Sequence, residues 1–330
     1  MSKKYAVVAI GNAIVDVIAS ATDAFITAEA LRKGDMTLID AARATELYDR
    51  MGPGREVSGG SAANTIAGMA ALDCQCGFIG QVADDQLGEV FAHDIRALGV
   101  NFTTPPMTGA DPTARCLILV TPDGQRTMNT FLGAAQFLPE AALDAALIGD
   151  GAMLYLEGYL WNAPASRAAM RRAIEIARQA GARVALTLSA IFVVESHKDE
   201  FFALCDDGSI DLIFTNNEEV TAMTGVADPY EAAAALAKRV PELVCTHGSA
   251  GAEAYLNGEH ARVGAEPVEK VVDTTGAGDL FAAGYLAGRS QGRSLEQSLT
   301  MGAVCAAEVI SHFGPRPEAD LKALVAARLN

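Results

Sequence analysis

The stretch from Val271 to Gly288, VVDTTGAGDLFAAGYLAG, runs from a polar, glycine-containing turn straight into an apolar segment of small residues. Backbone N–H groups at Gly276, Ala277 and Gly278 would open a helix N-terminus there, where free donors and the helix dipole favour an anion and small side chains let a phosphate approach. Asp279 follows in the first turn. A carboxylate at that point can take the proton of an acceptor hydroxyl lying in line with the phosphate, so the expected chemistry is phosphoryl transfer with Asp279 as general base. Thr274, Thr275 and Asp279 read equally well as cap residues around a tight turn. The string is neither a GxxxxGK[ST] loop nor a GxGxxG dinucleotide pattern.

Other groups of suitable type are spread along the chain. In SGGSAANTIAGMAAL, Ser58 to Leu72, Gly59 and Gly60 leave room for a ligand against the backbone. Asn64, about a turn into the following helix, can donate to and accept from sugar hydroxyls. A glycine turn capped by Ser58 or Ser61 is the plainer alternative. Asn12 and Asp16 follow the first strand, at the carboxyl end where open α/β sheets bind ligands. In NNEEV, Glu219 is a hard oxygen donor, while Asn216 and Glu219 also have capping-box spacing. Arg126 follows the turn Pro122-Asp123-Gly124 and reads as either a site guanidinium or a solvated hairpin charge. A lone His247 is expected to be structural or solvent-facing.

Apolar, β-branched runs at Tyr5 to Ile10, Gly77 to Ile79, Met153 to Leu156, Val184 to Leu188, Leu212 to Phe214 and Leu243 to Thr246 alternate with alanine-rich amphipathic stretches. That alternation predicts an α/β domain with a mainly parallel central sheet between helix layers. Two segments break the rhythm. Residues 17–50 and 101–133 hold short alternating runs and a hairpin turn, and are expected to form a small, discontinuous β lid on a large domain of residues 1–16, 51–100 and 134–330.

The chain of 330 residues carries a formal net charge of −16 and no basic cluster, which argues against nucleic acid and anionic membranes as partners. No apolar run reaches the roughly 18 residues of a membrane span. Six scattered cysteines lack metal-ligand spacing and read as reduced core thiols of a cytoplasmic protein.

Taken together, DTTGAGDLFAAGYLAG, the Ser58 to Leu72 glycine pair with its continuation GQVADDQLGEVFAHDIRALGV, and NNEEVTAMTG resemble, in order, the signatures of the ribokinase-like (PfkB) family of carbohydrate and nucleoside kinases. The resemblance covers nearly the whole chain. It implies a ribokinase-like three-layer fold with a β lid, ATP and Mg2+ as cofactors, and an alcohol acceptor. It also implies Asn12 and Asp16 against the acceptor's ribose and Glu219, with Asn216, organising Mg2+ through water. Thr246, Gly248, Gly251 and Thr274 would lie along the nucleotide, and Arg126 near the transferring phosphoryl group. A monovalent cation such as K+ activates some relatives. GNAIVDVI, DGQRTMNTFLGA and EGYLWNAP are most similar to bacterial adenosine kinase-like proteins, with Phe131 and Leu132 available to sandwich a purine. LTLSAIFVV, Leu186 to Val194, departs from the more polar pattern of such relatives. A nucleoside acceptor is therefore expected first, a sugar such as ribose, fructose or 2-keto-3-deoxygluconate second, and a non-catalytic ligand-binding relative third. Either a monomer or a lid-mediated homodimer is compatible with these features.

Overall fold

The computed structural model describes residues 3–109 and 111–329. Continuous apolar runs make its larger sheet. The first, YAVVAI at Tyr5–Ile10 (β1), is buried along nearly its whole length, as a strand covered on both faces must be. Further strands follow at Ile14–Ser20 (β2), Met36–Leu38 (β3), Arg55–Gly59 (β4), Cys76–Ile79 (β5), Asn101–Phe102 (β6), Ala114–Val120 (β7) and Arg126–Phe131 (β8). The remainder are Gly151–Glu157 (β9), Arg183–Thr187 (β10), Leu212–Asn216 (β11), Glu242–Thr246 (β12), Ala252–Leu256 (β13) and Glu259–Val263 (β14).

The larger sheet has the order β14-β13-β12-β11-β10-β9-β1-β5-β6. Every neighbouring pair from β12 to β6 is parallel, and β13 and β14 add an antiparallel edge. Helices Ser61–Ala71, Ala277–Ser290 and Leu295–Val309 pack into one apolar cluster, and Pro164–Gln179, Ile191–Asp206 and Pro229–Leu236 into the other. This is the expected three-layer arrangement. Parallel strands put all their carboxyl ends, and the loops that follow them, along one rim.

The smaller sheet has the order β3-β8-β7-β2-β4. Its β7 and β8 form the expected antiparallel hairpin around Pro122-Asp123-Gly124. The strands redraw the expected division of the chain in three places. β2 begins at Ile14, and β4 at Arg55–Gly59 pairs with it in the smaller sheet, whereas β6 joins the edge of the larger one. Short polar strands such as REVSG are recruited by partners distant in sequence and carry little local signal.

Period-two alternation gives the smaller sheet two different faces. Val15, Val17, Leu117 and Leu119 lie on the face covered by Ala44 and Leu47 of helix Ala41–Arg50 and by Ile26. By register, Asp16 lies beside Cys116, which lies beside Thr130, so these share the opposite face with Ile18, Ile118, Met128 and Arg126. No helix among the described residues is long and apolar enough to cross a membrane.

Candidate active site

The glycine turn comes first because it fixes the rest. Gly276 takes φ +78, a left-handed conformation, and a Cβ there would meet Pro315 Cβ at 2.8 Å, so only glycine fits. It starts helix Ala277–Ser290 without any side-chain cap, which removes the capping role of Thr274, Thr275 and Asp279. The N–H groups of Gly276, Gly278 and Asp279 find no acceptor among the described residues. That of Ala277 donates back to Thr274 O at 3.2 Å, so the free donors are not quite the expected set. Gly278 and Asp279 line a cavity of about 230 Å³ with Asn216, Glu219 and Thr246.

Asp279 is held from the helix opposite. Ser61 Oγ donates to its Oδ1 at 2.6 Å and Asn64 Nδ2 to its Oδ2 at 2.9 Å. Burial pushes its carboxyl up to about 6, against the pull of these two hydrogen bonds and the charge of Arg316. Ser61 is free for this because Gly60, at φ +103, begins helix Ser61–Ala71 with no side-chain cap, so the serine-capped turn is not formed. A Cβ on Gly60 would run into Asn12 O.

Two further carboxyl groups lie close by. Asp16 is 7% exposed and burial raises it to about 7, opposed by the Arg316 and Arg126 charges. Glu157, at the carboxyl end of β9, is 1% exposed and also reaches about 7 through burial. It accepts from Asn12 Nδ2 at 2.6 Å, Asn12 N at 3.3 Å and Ala62 N at 2.9 Å, so one buried carboxylate orients both Asn12 and the start of the Ser61 helix. The Oδ1 atoms of Asn12 and Asn64 are buried without a partner. Such orphaned acceptors are costly and suit a ligand hydroxyl.

On the other side of the turn, Thr246, Gly248, Gly251, Thr274, Ala277 and Gly278 border a cavity of about 460 Å³ whose wall is mostly apolar, including Val268, Phe281, Ala303 and Ile310. Its volume is within the range of small-molecule sites. Asn216 and Glu219 form the expected capping box: Glu219 N donates to Asn216 Oδ1 at 2.9 Å, and Asn216 N and Nδ2 donate to the Glu219 carboxyl at 3.2 and 2.8 Å. Burial raises Glu219 to about 7. Both its oxygens already serve the cap, which fits contact with Mg2+ through water better than direct ligation. Among the described residues no group of three His, Cys, Asp or Glu side chains could hold a metal ion.

The lid residues separate. Arg126 is not a solvated hairpin charge: its Nη1 pairs with Asp273 Oδ2 at 2.6 Å and its guanidinium lies over Phe313. Asp273 also accepts from Thr275 N and Gly314 N, so the lid strand is tied to the residues that open the glycine turn. Phe131 is a correction. Its register partner is Arg115, which stacks over Tyr48 of helix Ala41–Arg50, so Phe131 belongs to the helix-covered face, away from Asp16. Leu132 follows the strand, half-buried. His247 is structural: buried, it contacts Asn217 Oδ1 and Glu253 Oε1.

Sequence reasoning missed Glu157, Ser61, Asp273 and Arg316. A lone Glu at the end of a buried strand was a usable signal for Glu157. Arg316, in GPRP, left no local trace.

The fold and these groups define a phosphotransferase of the ribokinase-like type, and comparison with known proteins narrows that class. Residues 28–321 match the family model described as pfkB family carbohydrate kinase. The crystal structure of adenosine kinase from Sinorhizobium meliloti is 46% identical, with a TM-score of 0.89 over 99% of both chains. A probable sugar kinase protein from Rhizobium etli is 42% identical, with a TM-score of 0.90 over 98% of both. An adenosine kinase of Saccharomyces cerevisiae is 27% identical over 93% of this chain and 95% of its own.

The chain belongs to the pfkB family of carbohydrate kinases. It is an ATP-dependent kinase acting on an alcohol group, with a small sugar or nucleoside as acceptor.

Proposed function

We propose that the acceptor is a nucleoside, adenosine first, phosphorylated on its 5′-hydroxyl with Asp279 as general base. The observation that carries this reading is the Asp279 carboxylate, one residue beyond the open glycine turn and fixed by Ser61 and Asn64. The acceptor proton passes to Asp279 as the new oxygen–phosphorus bond forms in line and the bond to ADP breaks. The acceptor-free N–H groups of Gly276, Gly278 and Asp279 would meet the developing charge, Ala277's being turned back to Thr274 O, and Arg126 would join them on leaving Asp273. Glu219 and Asn216 would hold a Mg2+ through water, and that ion would supply neutralisation of phosphate charge. Thr246, Gly248, Gly251 and Thr274 border the ATP side. Asn12, Asp16, Gly59, Gly60 and Asn64 take the ribose.

Two features support a base-bearing acceptor over a free sugar. One is the 46% identity to an adenosine kinase over the whole chain. The other is the apolar set Ile18, Ile118 and Met128 on the Asp16 face of the smaller sheet, which suits a flat ring. The 42% identity to a probable sugar kinase favours the second reading, a sugar kinase. In either reading the chain works in the cytoplasm, where ATP is supplied.

ADP release is measured with Mg-ATP and adenosine, guanosine, cytidine, ribose, fructose or 2-keto-3-deoxygluconate. Turnover is expected on adenosine, declining as pH falls through about 6, where Asp279 protonates. Turnover on a free sugar alone would replace the nucleoside reading by the sugar one.

A further inference from the structure

Arg316 has no part in the steps above, yet it spans the joint on which they depend. Its Nε and Nη2 donate to Ser58 O at 3.0 and 2.7 Å, Nη2 also donates to Ser58 Oγ at 3.1 Å, and Nη1 donates to Ala63 O at 2.7 Å. Ser58 lies on β4 in the smaller sheet, and Ala63 in the first turn of a helix packed on the larger one. Gly59 and Gly60 lie between. One planar fork therefore grips both sides of the glycine pair through which the chain passes from sheet to sheet.

All the acceptors it grips are neutral, and among the described residues it pairs with no carboxylate. Burial lowers it to about 10, which still leaves it charged at neutral pH. A desolvated cation without a partner is costly unless its field is used. The anions that feel that field are Asp16, Asp279 and Asp94. Asp94 is already engaged by Ser58 N at 3.1 Å. Around Asp279 stand Asp16 from β2, Tyr155 and Glu157 from β9, and Tyr159 beyond it, none of them a cation. Arg126 faces Asp16 but is paired with Asp273.

We propose that Arg316 is a positioning residue for phosphoryl transfer: its fork on Ser58 and Ala63 sets the Gly59-Gly60 joint and, through it, the start of the helix from which Ser61 and Asn64 hold Asp279. The mechanistic part rests on Asp279 being the base.

The test is carboxyl NMR of full-length protein labelled at aspartate with carbon-13, titrated from pH 4 to 9, with the Asp279 signal assigned by its loss in Asp279→Asn. In the unmodified protein the midpoint is expected near 6, and a midpoint above 8 would show that the seat built by Ser61 and Asn64 does not hold the ionised carboxyl. Arg316→Gln should raise the midpoint by about one pH unit, Arg316→Lys by less. An unmoved midpoint in a cooperatively melting Arg316→Gln overturns the proposal. If Arg316→Gln does not fold, Arg316→Met is read in its place and the unmodified midpoint still decides. Turnover of Asp279→Asn on adenosine is followed separately. Wild-type turnover there would remove Asp279 as base while leaving the grip of Arg316 on the glycine joint, and its effect on the Asp279 midpoint, intact.

Discussion

On the acceptor side of the cleft, Asp16, Glu157 and Asp279 are all raised to between about 6 and 7 by burial, and the amide oxygens of Asn12 and Asn64 have no partner. On the nucleotide side the cavity wall is apolar and the polar groups facing it are mainly backbone amides and threonines. In the proposed reading the polyanion is met by backbone dipoles with Mg2+ and Arg126 beside them, whereas the neutral acceptor is met by negative charge stored at a cost. Three of the four carboxyls raised by burial stand on the acceptor side, Glu219 at the phosphate end being the fourth.

The severest challenge to that division is Asp279→Asn. Turnover should fall roughly 10³-fold, as for loss of a positioned general base, with KM for ATP changed less than about threefold in steady-state kinetics. An ATP KM that rises as steeply as turnover falls would merge the two sides. Gly276→Ala strikes the dipole side instead. The left-handed backbone and the Pro315 contact should cost about 1–3 kcal/mol in denaturant unfolding, with lost turnover that no change of acceptor restores.

Asp16→Asn tests the stored charge directly. The native pKa of Asp16 is raised from 3.8 to about 7, so its neutral form stabilises the fold fully below about 4, and this is lost as pH rises through 7. The variant should therefore exceed the parent's unfolding free energy by roughly 1–2 kcal/mol at pH 8 and lose that advantage at pH 4. An equal effect at both pH values would point to packing instead. The smallest effect separates the faces of the smaller sheet. Met128→Ala should raise KM for adenosine by roughly three- to tenfold, while Phe131→Leu should leave it within about twofold and lower the melting temperature.

The sequence was most legible where structure is local. Tyr5–Ile10 has the bounds its apolar run predicts, helix Pro164–Gln179 falls in one of the alanine-rich amphipathic stretches between strands, and the glycine turn opens a helix with Asp279 in its first turn. Glu157 and Arg316 act through hydrogen bonds spanning 145 and 258 residues, for which no periodicity exists. Phe131 was assigned by its apolar character alone. Alternation along β8 separates it from Arg126 and Met128, but the pairing of Asp16 with Cys116 decides which of those faces looks into the cleft.

The smaller sheet is assembled from pieces that leave the larger one and return to it: β2 to β4 between β1 and β5, β7 and β8 between β6 and β9. Selection can therefore rewrite those excursions one at a time while the strands β9 to β12 and the turn at Gly276 stay untouched. A lineage built this way can acquire a new acceptor by editing its detours, and inherits the donor unchanged.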